Sequence, residues 1–433
     1  MSDQVQDHTV EEYDVLIEGT SLMHSILATA LSLDGSKVVH IDEHDYYGAI
    51  NACIPHPYDG HALPASVRDY NMIPGSAQTS LGPAREYNIE LLPRLLYTSS
   101  PMIKILQNLG IGEYVQFKSL NSFYLYKDGE LERAPSSKED IFTSTTMPLI
   151  VKRRLMKFIK FCAETSPDQL EYDKKESLVK IMKEQFRLES DMIEAVSFAL
   201  AGASNAQASL GDTLPNIQAH LKSLGLFGPF PVVIPMYGSG SELTQAFCRK
   251  AAVKGCTYIL GQKMDSPTTP DNIFRLSSGH QLSAKHVVKP RNPTECSHTT
   301  RRIYIVVGEF QQLMNGGDGA VIAFAPEKAE DQVIHCQVYG KGAGVCPDGQ
   351  SVIHLSGGDI TPGQFDAACQ KLRAKCPFEI IVTLEYKLQD PSVAQSYDDL
   401  INEAQSLFLS LTHGTGDFLP QQPQEGLDRS DDY

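Results

Sequence analysis

The chain has 433 residues, 42% of them hydrophobic and 21% charged, which is the balance of a globular protein of roughly two domains. With 53 acidic residues against 37 basic ones the net charge is −16. That surplus argues against binding nucleic acid or a broad anionic membrane surface, and it suits a partner with a basic segment. The nine cysteines are scattered and form no C-x-x-C pair. Neither a disulfide framework nor a metal site is expected, and the thiols read as reduced, in a cytoplasmic setting.

The opening "MSDQVQDHTVEEYD" is acidic and polar, unlike a secretory leader. Residues 13–42 then read as a βαβ unit. "YDVLIEG" is an apolar run ending in glycine, "LMHSILATALSL" is apolar all round like a buried crossover helix, and "KVVHID" is a second buried strand. A dinucleotide-binding turn would carry G-x-G-x-x-G, but here those places hold Gly19, Ser21 and His24. A serine occupies space meant for phosphate, and a histidine blocks close packing of helix on strand. Asp42, at the spacing of a ribose-binding acid, is therefore better read as a strand-end or turn residue.

Residues 85–130 mix short elements, with a hairpin turn at Lys127-Asp128-Gly129. From about 137 to 228 the apolar spacing becomes three and four, which predicts consecutive helices. After Pro229 strands return: "TYILGQK", "NIFRLSS", "KHVVKP", "RRIYIVVGE", "AVIAFAPE", "QVIHCQVYG", "SVIHLSG" and "FEIIVTLEYKL", followed by one helix, "SYDDLINEAQSLFLSL". The longest uncharged stretch, 223–241, is broken by prolines and glycines and is no membrane helix. The expected fold class is α/β. A multi-strand Rossmann-type body is built from 1–115 and 229–433, and a mostly helical domain is inserted at 116–228.

Such a flavoprotein-like frame with a spoiled fingerprint carries three further stretches that point to a family. "DYYG" (45–48), "REYNIELLPRLLY" (85–97) and "YGSGSELTQAFCRKAAVKGCTYIL" (237–260) resemble conserved blocks of the Rab GDP dissociation inhibitor and Rab escort protein superfamily. The third block departs from the family pattern by one extra residue before Glu242 and by Thr244 where proline is usual, both read as lying in a loop. The resemblance implies an FAD-binding-like fold without FAD, and no catalytic residues of the chain's own. It also implies a Rab-binding platform of Tyr47, Glu242, Arg249, Thr257 and Ile259. The alternative for Glu242 and Arg249 is a local salt bridge, and for Tyr47 a core tyrosine.

The stretch "SSKEDIFTSTTMPLIVKRRLMKFIKFC" (136–162) resembles the escort branch, in which a phenylalanine and an arginine eleven residues later grip the catalytic transferase. Phe142 and Arg153 match that spacing; read on one helix, with Phe142 at its start and Arg153 three turns on, they lie on nearly the same face. The C-terminal "FLPQQPQEGLD" resembles that branch too, whereas the compact length is that of an inhibitor. Escort activity would mean binding GDP-bound Rab, presenting its C-terminal cysteines to the geranylgeranyltransferase, and carrying the prenylated product to a transient membrane contact. The geranylgeranyl lipid would lie among the helices, where Met156, Met182 and Met192 could adapt to it or simply form core. Two readings stay open beside this one: a recycling inhibitor acting on prenylated Rab, and an FAD-dependent oxidoreductase.

Overall fold

The computed structural model describes residues 10–54, 63–145, 147–166, 175–265, 273–292, 298–308, 310–328 and 331–421. The βαβ unit forms as Glu11–Glu18, Leu22–Leu33 and Val38–Ile41, with its two strands parallel. Its helix is buried on every side because the helices Ser239–Val253 and Tyr397–Leu411 pack against it in one apolar core with strands Glu11–Glu18 and Val38–Ile41. The strands' other face packs in a second apolar cluster with Phe274, Leu276 and Leu282, so both strands need apolar residues on both faces. They sit in a five-stranded sheet ordered Thr257–Ile259, Val38–Ile41, Glu11–Glu18, Gln281–Val288, Ile273–Arg275. Residues from both halves of the chain thus build one body.

A second, eight-stranded sheet is ordered Val67–Pro74, Glu379–Leu388, Thr299–Val307, Gln350–Gly357, Ile334–Gly340, Gly319–Phe324, Phe123–Lys127, Glu130–Arg133. One of its faces is covered by a helix, Pro362–Lys375, that the sequence reading did not include. Its start is a capping box between Thr361 and Gln364 with proline at the first position.

The helical unit is narrower than 116–228. Phe117–Leu120 joins a small three-stranded sheet, while Phe123–Lys127 and Glu130–Arg133 form the expected hairpin and extend the large sheet. Asp128 and Gly129 at its turn have φ of 49° and 82°, the left-handed pair that a two-residue hairpin uses. Helices then run Lys138–Thr143, Leu149–Glu164, Leu178–Glu184, Ser190–Glu194 and Leu210–Ser223, with a π-helical segment Ala195–Leu200 among them, around a core of their own. Among the described residues, no helix is long and apolar enough to cross a membrane, and eight cysteines are free. The acidic N-terminal residues, Cys296 and the 422–433 tail lie outside the described residues.

Candidate functional site

At the end of the five-stranded sheet where a nucleotide would sit, the key polar groups are engaged by the chain's own side chains. Gly19 makes the left-handed turn at φ 82°. Beyond it, Asp42 is buried and accepts four hydrogen bonds: from the Thr20 amide (2.7 Å), the Thr20 hydroxyl (2.6 Å), the His44 amide (3.0 Å) and His44 Nδ1 (2.9 Å). Burial alone would push its carboxyl up. The bonds from His44 and Thr20 outweigh that and hold it below its usual value. No oxygen is left for a ribose. The Asn51 side chain caps the helix start by accepting from the Leu22 amide (3.1 Å), and Ser21 bonds His24 (2.9 Å) inside the turn. Burial holds His24 neutral, its pKa lowered to about 3. The remaining cavity, about 240 Å³ and lined by Glu18, Ser21, His24 and Asp42 among others, is smaller than the pockets that take drug-sized ligands. Asp42 and the Leu22 amide, the groups a dinucleotide would call on here, are thus already bonded within the chain.

A second site lies on the other side of the "DYYG" loop. Tyr47, Tyr114, Glu242, Gln245 and Arg249 line one open cavity of about 320 Å³. Glu242, Gln245 and Arg249 are three and four residues apart and so share a face of the Ser239–Val253 helix. Glu242 and Arg249 form no salt bridge; the Arg249 guanidinium instead lies 4.2 Å from the centroid of the exposed Tyr114 ring. Tyr47 is half-buried and meets Tyr258 edge-on, with 5.4 Å between centroids. Three of the five platform residues therefore converge. The other two do not line this cavity, because Thr257 and Ile259 alternate with Tyr258 on the edge strand and face the opposite side of the sheet. There Ile259 packs with Leu16, Val39 and Ile41, and Thr257 is exposed. Tyr114 and Tyr258 were not singled out in the sequence, since only the fold brings them to Tyr47 and Arg249.

The glycines of the third block answer to close contacts. Gly238 has φ 99°, and a side chain there would place Cβ 2.0 Å from Cys53 Sγ. A Cβ on Gly240 would stand 2.8 Å from the Asn51 carbonyl oxygen, and the Gly240 amide donates to Glu90 (2.8 Å). Both departures from the family pattern lie inside the helix rather than in a loop. The buried Thr244 satisfies its hydroxyl on the Gly240 carbonyl (2.7 Å).

Phe142 and Arg153 occupy two helices, not one, because Pro148 separates Lys138–Thr143 from Leu149–Glu164. The motif before Phe142 is a capping box. Ser137 accepts from the Asp140 amide (3.0 Å), and Asp140 accepts from the Ser137 amide (3.0 Å). This short helix buries Ile141 and leaves Phe142 65% exposed. Lys152 ties the two helices by donating to the carbonyls of Phe142 (2.9 Å) and Ser144 (2.7 Å). On the second helix Leu149 and Ile150 are also exposed, and they share a face with the exposed Arg153. The result is an apolar surface patch with one guanidinium beside it.

Within the helical unit, Met182 is buried and Met156 and Met192 are partly so, all in its core. A small apolar cavity of about 30 Å³ lies there against Ile141, Leu155, Phe158, Val196 and Ile217. Val196 belongs to the π-helical segment, a feature that often marks functional sites.

Together these features describe an α/β body of the FAD-binding type whose cleft-end carboxylate and helix-start amide are bonded within the chain. Among solved structures it is similar to a Rab GDI from Plasmodium falciparum (TM-score 0.67, 18% identity, 94% of this chain and 98% of that one). It is also similar to an oxidoreductase from Methanosarcina mazei (TM-score 0.59, 12% identity, 87% of this chain and 89% of that one). The family model "GDP dissociation inhibitor" matches residues 9–304, and the chain belongs to that family. It is 31% identical over 380 residues to Rab proteins geranylgeranyltransferase component A of Saccharomyces cerevisiae, covering 82% of this chain and 63% of that protein. It is 29% identical over 461 residues to an uncharacterized Rab geranylgeranyltransferase of Schizosaccharomyces pombe, covering 97% and 98%. Rab GDP dissociation inhibitor beta of Rattus norvegicus is 31% identical, over 59% of this chain and 57% of its own.

Proposed function

We propose that this chain is a Rab escort protein, an accessory subunit that brings newly made GDP-bound Rab to a catalytic geranylgeranyltransferase. Tyr47, Glu242 and Arg249 form the centre of the Rab contact, which extends over the sheet edge to Thr257 and Ile259. An exposed tyrosine–arginine pair beside a carboxylate gives polar specificity around apolar area. Phe142 and Arg153 dock the transferase. The Rab C-terminal cysteines are then held near the transferase active site, so that catalysis comes from raised effective concentration and not from residues of this chain. The chain uses no flavin: Asp42 and the first helix are already engaged by Thr20, His44 and Asn51. After transfer, the geranylgeranyl chain enters the helical unit. A lipid of that length requires the helices around the small cavity to part, and the wide turn at Ala195–Leu200 is a natural place for them to do so. The complex works in the cytoplasm and touches membranes only to deliver its cargo.

The observation that carries this reading is the exposed Phe142–Leu149–Ile150 patch beside Arg153, apolar surface that needs a partner and that a simple Rab carrier does not require. The relation to the Schizosaccharomyces pombe protein over nearly the whole of both chains supports the same branch. The test is prenylation in vitro with unprenylated GDP-bound Rab, purified transferase and labelled geranylgeranyl pyrophosphate. Label is expected on Rab only when this protein is added. No transfer, together with extraction of prenylated Rab from membranes, would assign the recycling-inhibitor role instead.

A further inference from the structure

The face of the eight-stranded sheet turned toward the helical unit carries a polar patch that neither the platform nor the transferase surface uses. Strand register places it without ambiguity. Arg301 pairs with Tyr386 on one side and Ser356 on the other, and Ser356 pairs in turn with His335. In the next row on the same face, Ile303 pairs with His354 and His354 with Gln337. Directly paired residues point to the same side of an antiparallel sheet, and neighbouring strands lie about 4.8 Å apart. Arg301, Ser356, His335, His354 and Gln337 thus form one contiguous group.

Its hydrogen bonding is incomplete. The buried Arg301 Nε, His335 Nε2 and His354 Nδ1 have no partner. The charges acting on Arg301 come from Tyr386 and from a second buried arginine, Arg94. Those acting on His335 and His354 come from Arg301 itself. Among the described residues no carboxylate offsets the guanidinium. Burial lowers the pKa of Arg301 and holds His335 at about 4 and His354 at about 3, so the imidazoles are neutral and the patch carries the arginine charge alone. An uncompensated buried cation is costly, and proteins ordinarily pair it. Arg301 nevertheless keeps partial exposure as a residue, as do His335, Ser356 and Gln337, while the unpartnered nitrogens themselves lie just beneath that surface.

We infer that Arg301, Ser356, His335 and His354 form a binding site for a phosphate group, either free phosphate or a phosphate monoester. Arg301 supplies a planar fork suited to two phosphate oxygens. Ser356 and His354 supply further donors. A neutral His335 can accept at its unpartnered Nε2, which suits the proton that inorganic phosphate carries near neutral pH and that sulfate lacks.

The experiment is calorimetric titration and thermal unfolding of the full chain with inorganic phosphate, glycerol 3-phosphate and sulfate. Phosphate or its ester should bind saturably and raise Tm. Arg301→Met should lose at least about tenfold in affinity, the usual scale for a charge-assisted bond. Because that variant removes an unpaired buried charge, it should fold at least as well as the parent. His354→Leu, as a second variant, should also weaken binding. Stronger binding of the ester identifies a monoester ligand, and stronger binding of the free ion identifies phosphate itself. No saturable binding of either, or an unchanged response in Arg301→Met, overturns the site. Sulfate binding as tightly as phosphate overturns the assignment of the ligand class.

Discussion

Replacing Phe142 by alanine separates docking from folding. The side chain is 65% exposed, so roughly 130 Å² of the ~200 Å² that a phenylalanine can bury is free for a partner. At about 25 cal/mol per Å², its burial in the transferase contributes about 3 kcal/mol, or on the order of a hundredfold in Kd. That is the scale of an interface hot spot. The intrinsic stability should hardly change, because the capping box and the buried Ile141 that hold this helix are untouched. The assay is surface plasmon resonance against the catalytic heterodimer, with Tm measured in parallel. Leu409→Ala, which truncates an exposed apolar residue elsewhere, is the control and should leave Kd unchanged. A Kd for Phe142→Ala within about threefold of the parent, worth only roughly 0.6 kcal/mol, would refute the assignment. So would an equal loss in the Leu409 variant.

Asp42→Ala should cost about 3 kcal/mol or more in urea unfolding, because it strands the Thr20 and His44 donors in a buried turn. The pH dependence follows from the same pair. Asp42 is held below its ordinary pKa, so its contribution is present above about pH 4 and lost as pH falls through the depressed value. The hydrogen bond from His44 to Asp42 raises the His44 pKa, so that contribution is complete below about pH 6.5 and lost as pH rises through the raised value; the alkaline loss should vanish in Asp42→Ala. Gly238→Ala should destabilise by about 3 kcal/mol or more, since both its φ and the Cys53 sulfur oppose a Cβ. Gly255→Ala, with a similar φ but nothing within 4 Å, should lose only about 1 kcal/mol, and equal losses would show that the contact does not matter. Arg249→Glu should weaken GDP-bound Rab by about tenfold or more with Tm unchanged, read by titration calorimetry; an unaltered Kd would remove Arg249 from the contact.

Much of this was legible where local pattern and tertiary role agree. The βαβ unit announces itself because a buried parallel pair and its crossover helix must be apolar throughout, and the spoiled fingerprint is visible residue by residue. Two further features carry a local signal. The Pro362–Lys375 helix has an apolar stripe at Phe365, Ala368, Cys369 and Leu372 behind a Thr-Pro-x-Gln start. Pro148 disfavours helical backbone at the residue before it, which separates Phe142 from Arg153. Other features have no local signal. Val67–Pro74 is an edge strand with most of its residues exposed or half-exposed, so it lacks the alternation of a half-buried strand. The stacking of Arg249 on Tyr114, and the row from Tyr386 to His335, exist only once distant strands and helices have met.

The cleft beside Asp42 and the proposed Rab surface are two ends of one hydrogen-bonded chain. The Thr20 hydroxyl donates to Asp42 (2.6 Å) and accepts from the Gly48 amide (2.9 Å), and Gly48 directly follows Tyr47. In a nucleotide-binding protein the carboxylate at the end of the second strand would reach outward to a ribose. Here it turns inward through Thr20 and fixes the loop that carries the platform tyrosine. Asn51 adds a second brace, because its side chain caps the first helix while its carbonyl oxygen leaves Gly240 no room for a Cβ. Asp42, Thr20 and Asn51 therefore brace the loop of Tyr47 against the helix of Glu242 and Arg249. Regaining a ribose-binding acid would release the loop, so one constellation cannot serve both purposes. On this account Asp42→Ala reduces Rab affinity as well as stability, although Asp42 does not line the platform cavity. A variant that lost stability yet bound Rab as tightly as the parent would show that the platform is held by its own contacts alone.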